Sequence, residues 1–134
     1  MKEYAYNDLI DKNIIPDDCE IFDCSYNKLN KLPELPSGLT ELCCFDNNII
    51  ELPVLPSGLT KLYCNNNKLT ALPKLPSRLK ILCCDHNPIK HITPNMYSIM
   101  RNIYLTDKYY IDIRNTIFYD QSGCSSKAEF FGLE

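Results

Sequence analysis

Residues Leu35–Val54 and Leu55–Lys74 agree at 11 of 20 positions without a gap. Both open Leu-Pro-Ser-Gly-Leu-Thr, carry Leu-x-Cys in the middle, continue to an asparagine and close on Leu-Pro. A fixed period of this length constrains the chain to a solenoid. Each unit is one turn of chain that buries its apolar face only against the turns beside it.

The period extends both ways as four units, 16–35, 36–55, 56–75 and 76–95. Their columns have chemical identities. The first apolar column is Cys19, Leu39, Leu59, Leu79, and the second is Phe22, Leu42, Leu62, Leu82. The third is Cys24, Cys44, Cys64, Cys84, followed by Asn27, Asn47, Asn67, Asn87. Two further columns, Leu29, Ile49, Leu69, Ile89 and Leu32, Leu52, Leu72, Ile92, complete the apolar set.

Leu39-x-x-Leu42-x-Cys44-x-x-Asn47 resembles the core of the leucine-rich repeat family, with cysteine in the third apolar place. The Leu-Pro-x-Leu-Pro segment of 52–56 is similar to the short repeats of bacterial effector proteins. The segment Leu-Tyr-Cys-Asn-Asn-Asn-Lys-Leu of 62–69 resembles the cysteine-bearing repeats of large DNA viruses of amoebae. The likeness spans roughly residues 16–95. It implies an α/β-type leucine-rich repeat solenoid and a viral or bacterial protein acting in a eukaryotic cytoplasm.

Two backbone regimes are expected in each unit. Apolar alternation around Leu42-x-Cys44 suits a short strand, and such strands stack in parallel on the concave side. The return has two prolines per unit, which fix φ and lack a donor, so it reads as extended and polyproline-like. The asparagine column marks the turn off the strand, where one amide both donates and accepts. Gly38 and Gly58 share a column with Asp18 and Arg78, so a positive φ is not required there.

Solenoids need caps, because the end turns otherwise expose core and strand edge. Residues 1–15 are expected to form the N-terminal cap, with a helix over 3–13 that carries Tyr6, Leu9, Ile10 and Asn13 on one side. Residues 96–120 read as a degenerate fifth repeat and C-terminal cap. Met100-x-x-Ile103-x-Leu105 has the strand spacing, and Tyr109–Ile113 supplies a further irregular strand. Residues 121–134 read as a flexible tail in which Phe130, Phe131 and Leu133 are candidates for docking.

Eight cysteines raise disulfide and metal chemistry. The ladder cysteines sit in one inward column, where free cysteine acts as a small hydrophobe. Their spacing of one repeat lacks the paired clusters of zinc sites, and Cys43-Cys44 and Cys83-Cys84 point to opposite strand faces. No cofactor or metal is expected. Some effectors with similar repeats are ubiquitin ligases using a Cys-x-Asp motif, which occurs here as Cys44-Phe45-Asp46 in the repeat core. Cys83 and His86 lack an evident third orienting group for hydrolysis. The residues therefore point away from an enzyme.

A net charge of −3 gives no basic footprint for nucleic acid, and no run approaches the ~20 apolar residues of a membrane span. Lys2, Glu3 and Asp8 interrupt any secretory apolar core, so the expected compartment is the reducing cytoplasm.

Residues flanking the inward leucine and cysteine face outward on the concave side. They vary while the core columns do not. Ile21, Phe45, Tyr63 and Ile81 are apolar where water is expected, and Glu41, Lys61 and Asp85 set the polarity. These residues are the candidate partner-binding set, for a protein or peptide. Five strands give a face of only some 200–340 Å², against about 800 Å² per partner in a standard interface. Rims, a peptide ligand, weak binding or self-association must make up the difference. Two other readings stand beside this one. One is the substrate-recognition part of a ubiquitin-ligase system, recruiting its catalytic chain through the N-terminal helix. The other is a self-associating protein using a strand edge near 100–113.

Overall fold

The computed structural model describes residues 2–133. Three-residue strands stack into one six-stranded parallel sheet in sequence order. They are β1 (Glu3–Ala5), β2 (Ile21–Asp23), β3 (Glu41–Cys43), β4 (Lys61–Tyr63), β5 (Ile81–Cys83) and β6 (Tyr110–Asp112). From β2 to β5 the register follows the repeat: Phe22, Leu42, Leu62 and Leu82 lie side by side and are fully buried.

Each turn is closed by the same few bonds. The N–H of Leu39 donates to the Pro36 carbonyl at 3.1 Å, and Leu59 and Leu79 repeat this with Pro56 and Pro76. The Thr40 hydroxyl donates to the Glu20 carbonyl, and Thr60 to that of Thr40, both at 3.1 Å. Gly38 and Gly58 keep negative φ, and an added Cβ would meet open space at either position. Proline, not glycine, shapes this turn. In units 16–35, 36–55 and 56–75 no residue of the proline-bearing return is helical; it runs extended between the leucine and isoleucine columns that complete the core.

The asparagine column is a ladder through the stack. Asn67 donates from Nδ2 to the carbonyls of Cys44, Cys64 and Asn65 at 3.0–3.3 Å, and its Oδ1 accepts from the Ile49 N–H at 3.0 Å. Asn47 and Asn87 repeat the pattern, while the side-chain amide of Asn27 donates only within its own turn. The residue just before each ladder asparagine is left-handed: Tyr26, Asp46, Asn66 and His86 have φ of 54–60°. Cys24, Cys44, Cys64 and Cys84 are fully buried free thiols. Burial, the leading cause, pushes Cys24 up to about 12 and the other three well above the ordinary thiol value.

Both ends depart from expectation. Residues 3–13 do not form a helix. Glu3–Ala5 is β1, paired with β2 at an offset of 18, followed by a single 3-10 turn over Tyr6–Asp8. The Lys2 carbonyl accepts from Glu20 and Ile21, as the Glu20 carbonyl does from Thr40 and Glu41 in the next turn. Pairing therefore satisfies the exposed edge of β2 better than a helix would. Of the proposed helical stripe only Leu9 is buried, and Ile10 is fully exposed. The Lys12 ammonium gathers the carbonyls of Tyr6, Asn7 and Leu9 at 2.9–3.0 Å, which closes the segment as a loop.

At the other end, Met100-x-x-Ile103-x-Leu105 is not a strand. It lies in α1 (Pro94–Leu105), which lengthens the fifth turn so that β6 pairs with β5 at an offset of 29. The Thr93 hydroxyl accepts from the Met96 N–H at 3.1 Å and Pro94 takes the first helical position. Met96, Met100 and Ile103 face the core at helical spacing, whereas Leu105 is exposed. The tail packs through two of its docking candidates, Phe130 and Phe131. After α2 (Ile117–Asp120), α3 (Lys127–Phe130) brings Phe131 to full burial against Tyr97 and Tyr104. The Lys127 ammonium donates to the Ile111 carbonyl of β6 at 2.9 Å, so the strand edge proposed for self-association is partly capped.

Candidate functional site: the concave sheet face

With Phe22, Leu42, Leu62 and Leu82 inward, the alternate residues of each strand form the outer face of the sheet. One column runs Glu3, Ile21, Glu41, Lys61, Ile81, Tyr110, and the central one Ala5, Asp23, Cys43, Tyr63, Cys83, Asp112. Beyond the strands the stacking continues. Tyr26 donates its N–H to the Phe45 carbonyl, Asp46 to Asn65, Asn66 to Asp85 and His86 to Arg114, at 2.9–3.2 Å. Ser25, Phe45, Asn65, Asp85 and Arg114 therefore form a third column, rimmed by Tyr26, Asp46, Asn66, His86 and Asn115. Of the candidate binding residues, Ile21, Glu41, Phe45, Lys61, Tyr63 and Ile81 are half-buried on this face.

Toward the N-terminal turns the face is aromatic and acidic. The Tyr26 ring stands edge-on to Phe45 with centroids 5.3 Å apart and an interplanar angle of 84°. Tyr26 is 71% exposed, and Ser25 Oγ beside it is buried without a hydrogen bond in the chain. Burial and then the charges of Asp23, Glu41 and Glu3 push the Cys43 thiol up to about 12. Burial and then Glu41 raise the Tyr63 phenol, and Asp46 raises that of Tyr26. Charge leads only at Tyr26; at Cys43 and Tyr63 the carboxylates add to burial, and Lys61 offsets part of the effect at Cys43.

Toward the C-terminal turns the charges pair among themselves. Asp85 is buried and accepts from His86 Nδ1 at 2.8 Å, while Asn115 meets His86 Nε2 at 2.8 Å. Asp85 thus holds His86 in place and does not stand open to a ligand, a correction to its expected role in setting polarity. Arg114 forks onto Asp112 with bonds of 2.7–3.2 Å. Burial alone would raise the Asp112 carboxyl, but the Arg114 side chain and backbone N–H hold it below the ordinary value.

The arrangement lacks an activated nucleophile at Cys83. Burial, then Asp85 and Asp112, push that thiol up to about 11, so it keeps its proton at neutral pH. The ring nitrogens of His86 are taken by Asp85 and Asn115. Among the described residues, no three histidine, cysteine or acidic side chains are grouped to hold a metal ion, and no helix is long and apolar enough to cross a membrane.

Tyr26 is not in the candidate set read from the sequence. Its signal was there: a tyrosine stands in a column otherwise occupied by aspartate, asparagine and histidine. Sequence reading also missed the Asp112–Arg114 pair and Asn115, because the 29-residue turn takes them out of the repeat register.

No protein-family model and no curated relative matches this chain. Solved structures do. "Structure of Shigella effector LRR domain" aligns with 28% identity and a TM-score of 0.67, over 78% of this chain and 44% of that one. YopM from Yersinia enterocolitica WA-314 aligns with 30% identity and a TM-score of 0.54, over 75% of this chain and 23% of that one. The chain spans less than half the length of either structure.

Proposed function

We propose that this leucine-rich repeat solenoid is a protein-interaction module that takes an extended peptide segment of its partner across the concave face. Tyr26 carries the reading. A bulky aromatic is an unusual occupant of the left-handed region, where the same column otherwise places residues that tolerate it. Backbone strain of this kind clusters at functional surfaces. With Phe45 and Tyr63 it forms an aromatic platform flanked by Ile21 and Ile81, and aromatic anchors of this kind dominate interface energies. Glu3, Asp23, Glu41 and Asp46 lack ion-pair partners among the described residues. The partner segment is therefore one with lysine or arginine beside apolar side chains, which also stack on aromatic rings.

Six strands give a face roughly 24 Å wide, the span of about seven extended residues. That area suits a peptide and a weak or rim-assisted complex. The activity is binding without catalysis, in the cytoplasm of a eukaryotic host. Recruitment of a ubiquitin ligase rested on a helix at 3–13, and those residues build β1 and its turn instead.

Selection from a random peptide library on the immobilised protein tests the reading. Enriched peptides are expected to carry lysine or arginine next to aliphatic or aromatic residues. Their binding is expected to fall as salt rises. Enrichment of acidic peptides, or of none, would contradict it.

A further inference from the structure

The return side of the solenoid carries a feature that the concave face does not explain. Ile14, Glu34, Val54 and Lys74 lie one turn apart in a single column, each just before the buried residue of its turn, Ile15, Leu35, Leu55 or Leu75. All four are exposed, Val54 at 86% and Ile14 at 61%. Val54 forms a ridge between two grooves. One, of ≈ 920 Å³, reaches from Val54 back to Ile14, and the other, of ≈ 420 Å³, reaches forward to Ile99 of α1. Pro36, Pro56 and Pro76 line their walls.

The column is self-complementary about Val54. One turn before it stands Glu34 and one turn after it Lys74, and neither makes an ion pair among the described residues. A two-fold axis at Val54 sets Val54 against its own copy, Glu34 against Lys74 of the second molecule, and Lys74 against its Glu34. The same operation lays the groove that ends at Ile14 over the groove that ends at Ile99. Over the three positions centred on Val54, charge meets opposite charge and apolar meets apolar, as an isologous contact requires.

We infer that this ridge is a homodimer interface, formed by a second copy of the chain in antiparallel alignment with its two-fold axis at Val54. It leaves the concave face free, so each dimer would present two peptide sites. The contact is short, below the roughly 800 Å² per partner of a standard interface. Dimerisation is therefore weak, with a dissociation constant on the order of 10–100 μM.

Sedimentation velocity of the whole chain over a concentration series to about 1 mM tests it. The wild type is expected to shift from monomer to dimer. Val54→Asp is expected to stay monomeric, and because the side chain is exposed its unfolding midpoint is expected to match the wild type. Glu34→Lys and Lys74→Glu are each expected to weaken the dimer about tenfold, and the double reversal Glu34→Lys/Lys74→Glu to restore it to within about threefold. A wild type that remains monomeric throughout would overturn the inference and leave the ridge to another chain. So would a dimer that Val54→Asp leaves intact, or a double reversal that rescues nothing. A dimer lost in Phe45→Ala/Tyr63→Ala would place the contact on the concave face, overturning it as well.

Discussion

The side-chain amide of Asn67 donates at 3.0 Å to the carbonyl of Cys44, one turn back and 23 residues away in sequence. That bond ties turn to turn where the strand ladder has already ended. The same amide also serves two carbonyls of its own turn, and its oxygen takes the Ile49 N–H. Removing it leaves the buried Ile49 N–H without its partner and takes one of two donors from each of the Cys44, Cys64 and Asn65 carbonyls. Asn67→Ala is expected to lower stability by about 2–3 kcal/mol in urea titration. Asn27→Ala is expected to cost less, since the Asn27 side-chain amide donates only within its own turn. Equal costs at the two positions would contradict an inter-turn role.

Gly58 offers the opposite test. Its φ is not positive and open space surrounds the site of a Cβ. Gly58→Ala is therefore expected to be neutral or to stabilise by about 0.5 kcal/mol, through the reduced entropy of the unfolded chain. A loss of stability on thermal unfolding would show a backbone requirement that this geometry lacks.

The buried thiols predict the alkaline limit of the fold. Their pKa values are raised above the ordinary 9.0, to about 12 for Cys24. Above pH 9 the unfolded chain ionises these thiols and the folded chain does not, so unfolding releases protons. The sign follows: this contribution to stability is complete below about pH 9 and declines as pH rises toward 12. Each thiol adds at most about 1.4 kcal/mol per pH unit to that slope. Cys64→Ala is expected to flatten the alkaline slope by about one such share, at the cost of about 1 kcal/mol at neutral pH for the lost packing. An unchanged slope would mean that Cys64 ionises as freely in the fold as outside it.

Phe131 locks the C-terminal cap. It is fully buried, edge-on to Phe130 at 5.1 Å, and its carbonyl accepts from Arg101 Nε at 2.9 Å. Phe131→Ala is expected to cost about 3–5 kcal/mol. Hydrogen exchange should then rise first at β6, whose edge Lys127 covers. A cost below about 1 kcal/mol would mean that the tail packs without contributing to the fold.

The repeat made the middle of this fold legible. Period 20 set the register of β2 to β5, and the alternation of Leu42, Cys43 and Cys44 told which side chains turn inward. The ends were not legible by the same rule. Met100-x-x-Ile103-x-Leu105 satisfies strand spacing and helix spacing at once, and only the Thr93–Pro94 cap distinguishes them. Residues 3–13 have a weak helical stripe, but the unpaired edge of β2 outweighs local propensity. On the concave face the outward columns could be named in advance. The left-handed backbone at Tyr26 had its signal in the same column, because Asp46, Asn66 and His86 are the residue types that tolerate it.

The measurement that tests the concave site most directly is peptide affinity by fluorescence anisotropy. A library-selected peptide would be compared on the wild type and on Phe45→Ala/Tyr63→Ala, after their unfolding midpoints are shown to match closely. The aromatic platform predicts a loss of at least about tenfold in affinity for the double variant. Equal affinity of the two proteins would contradict it and move the site off this face.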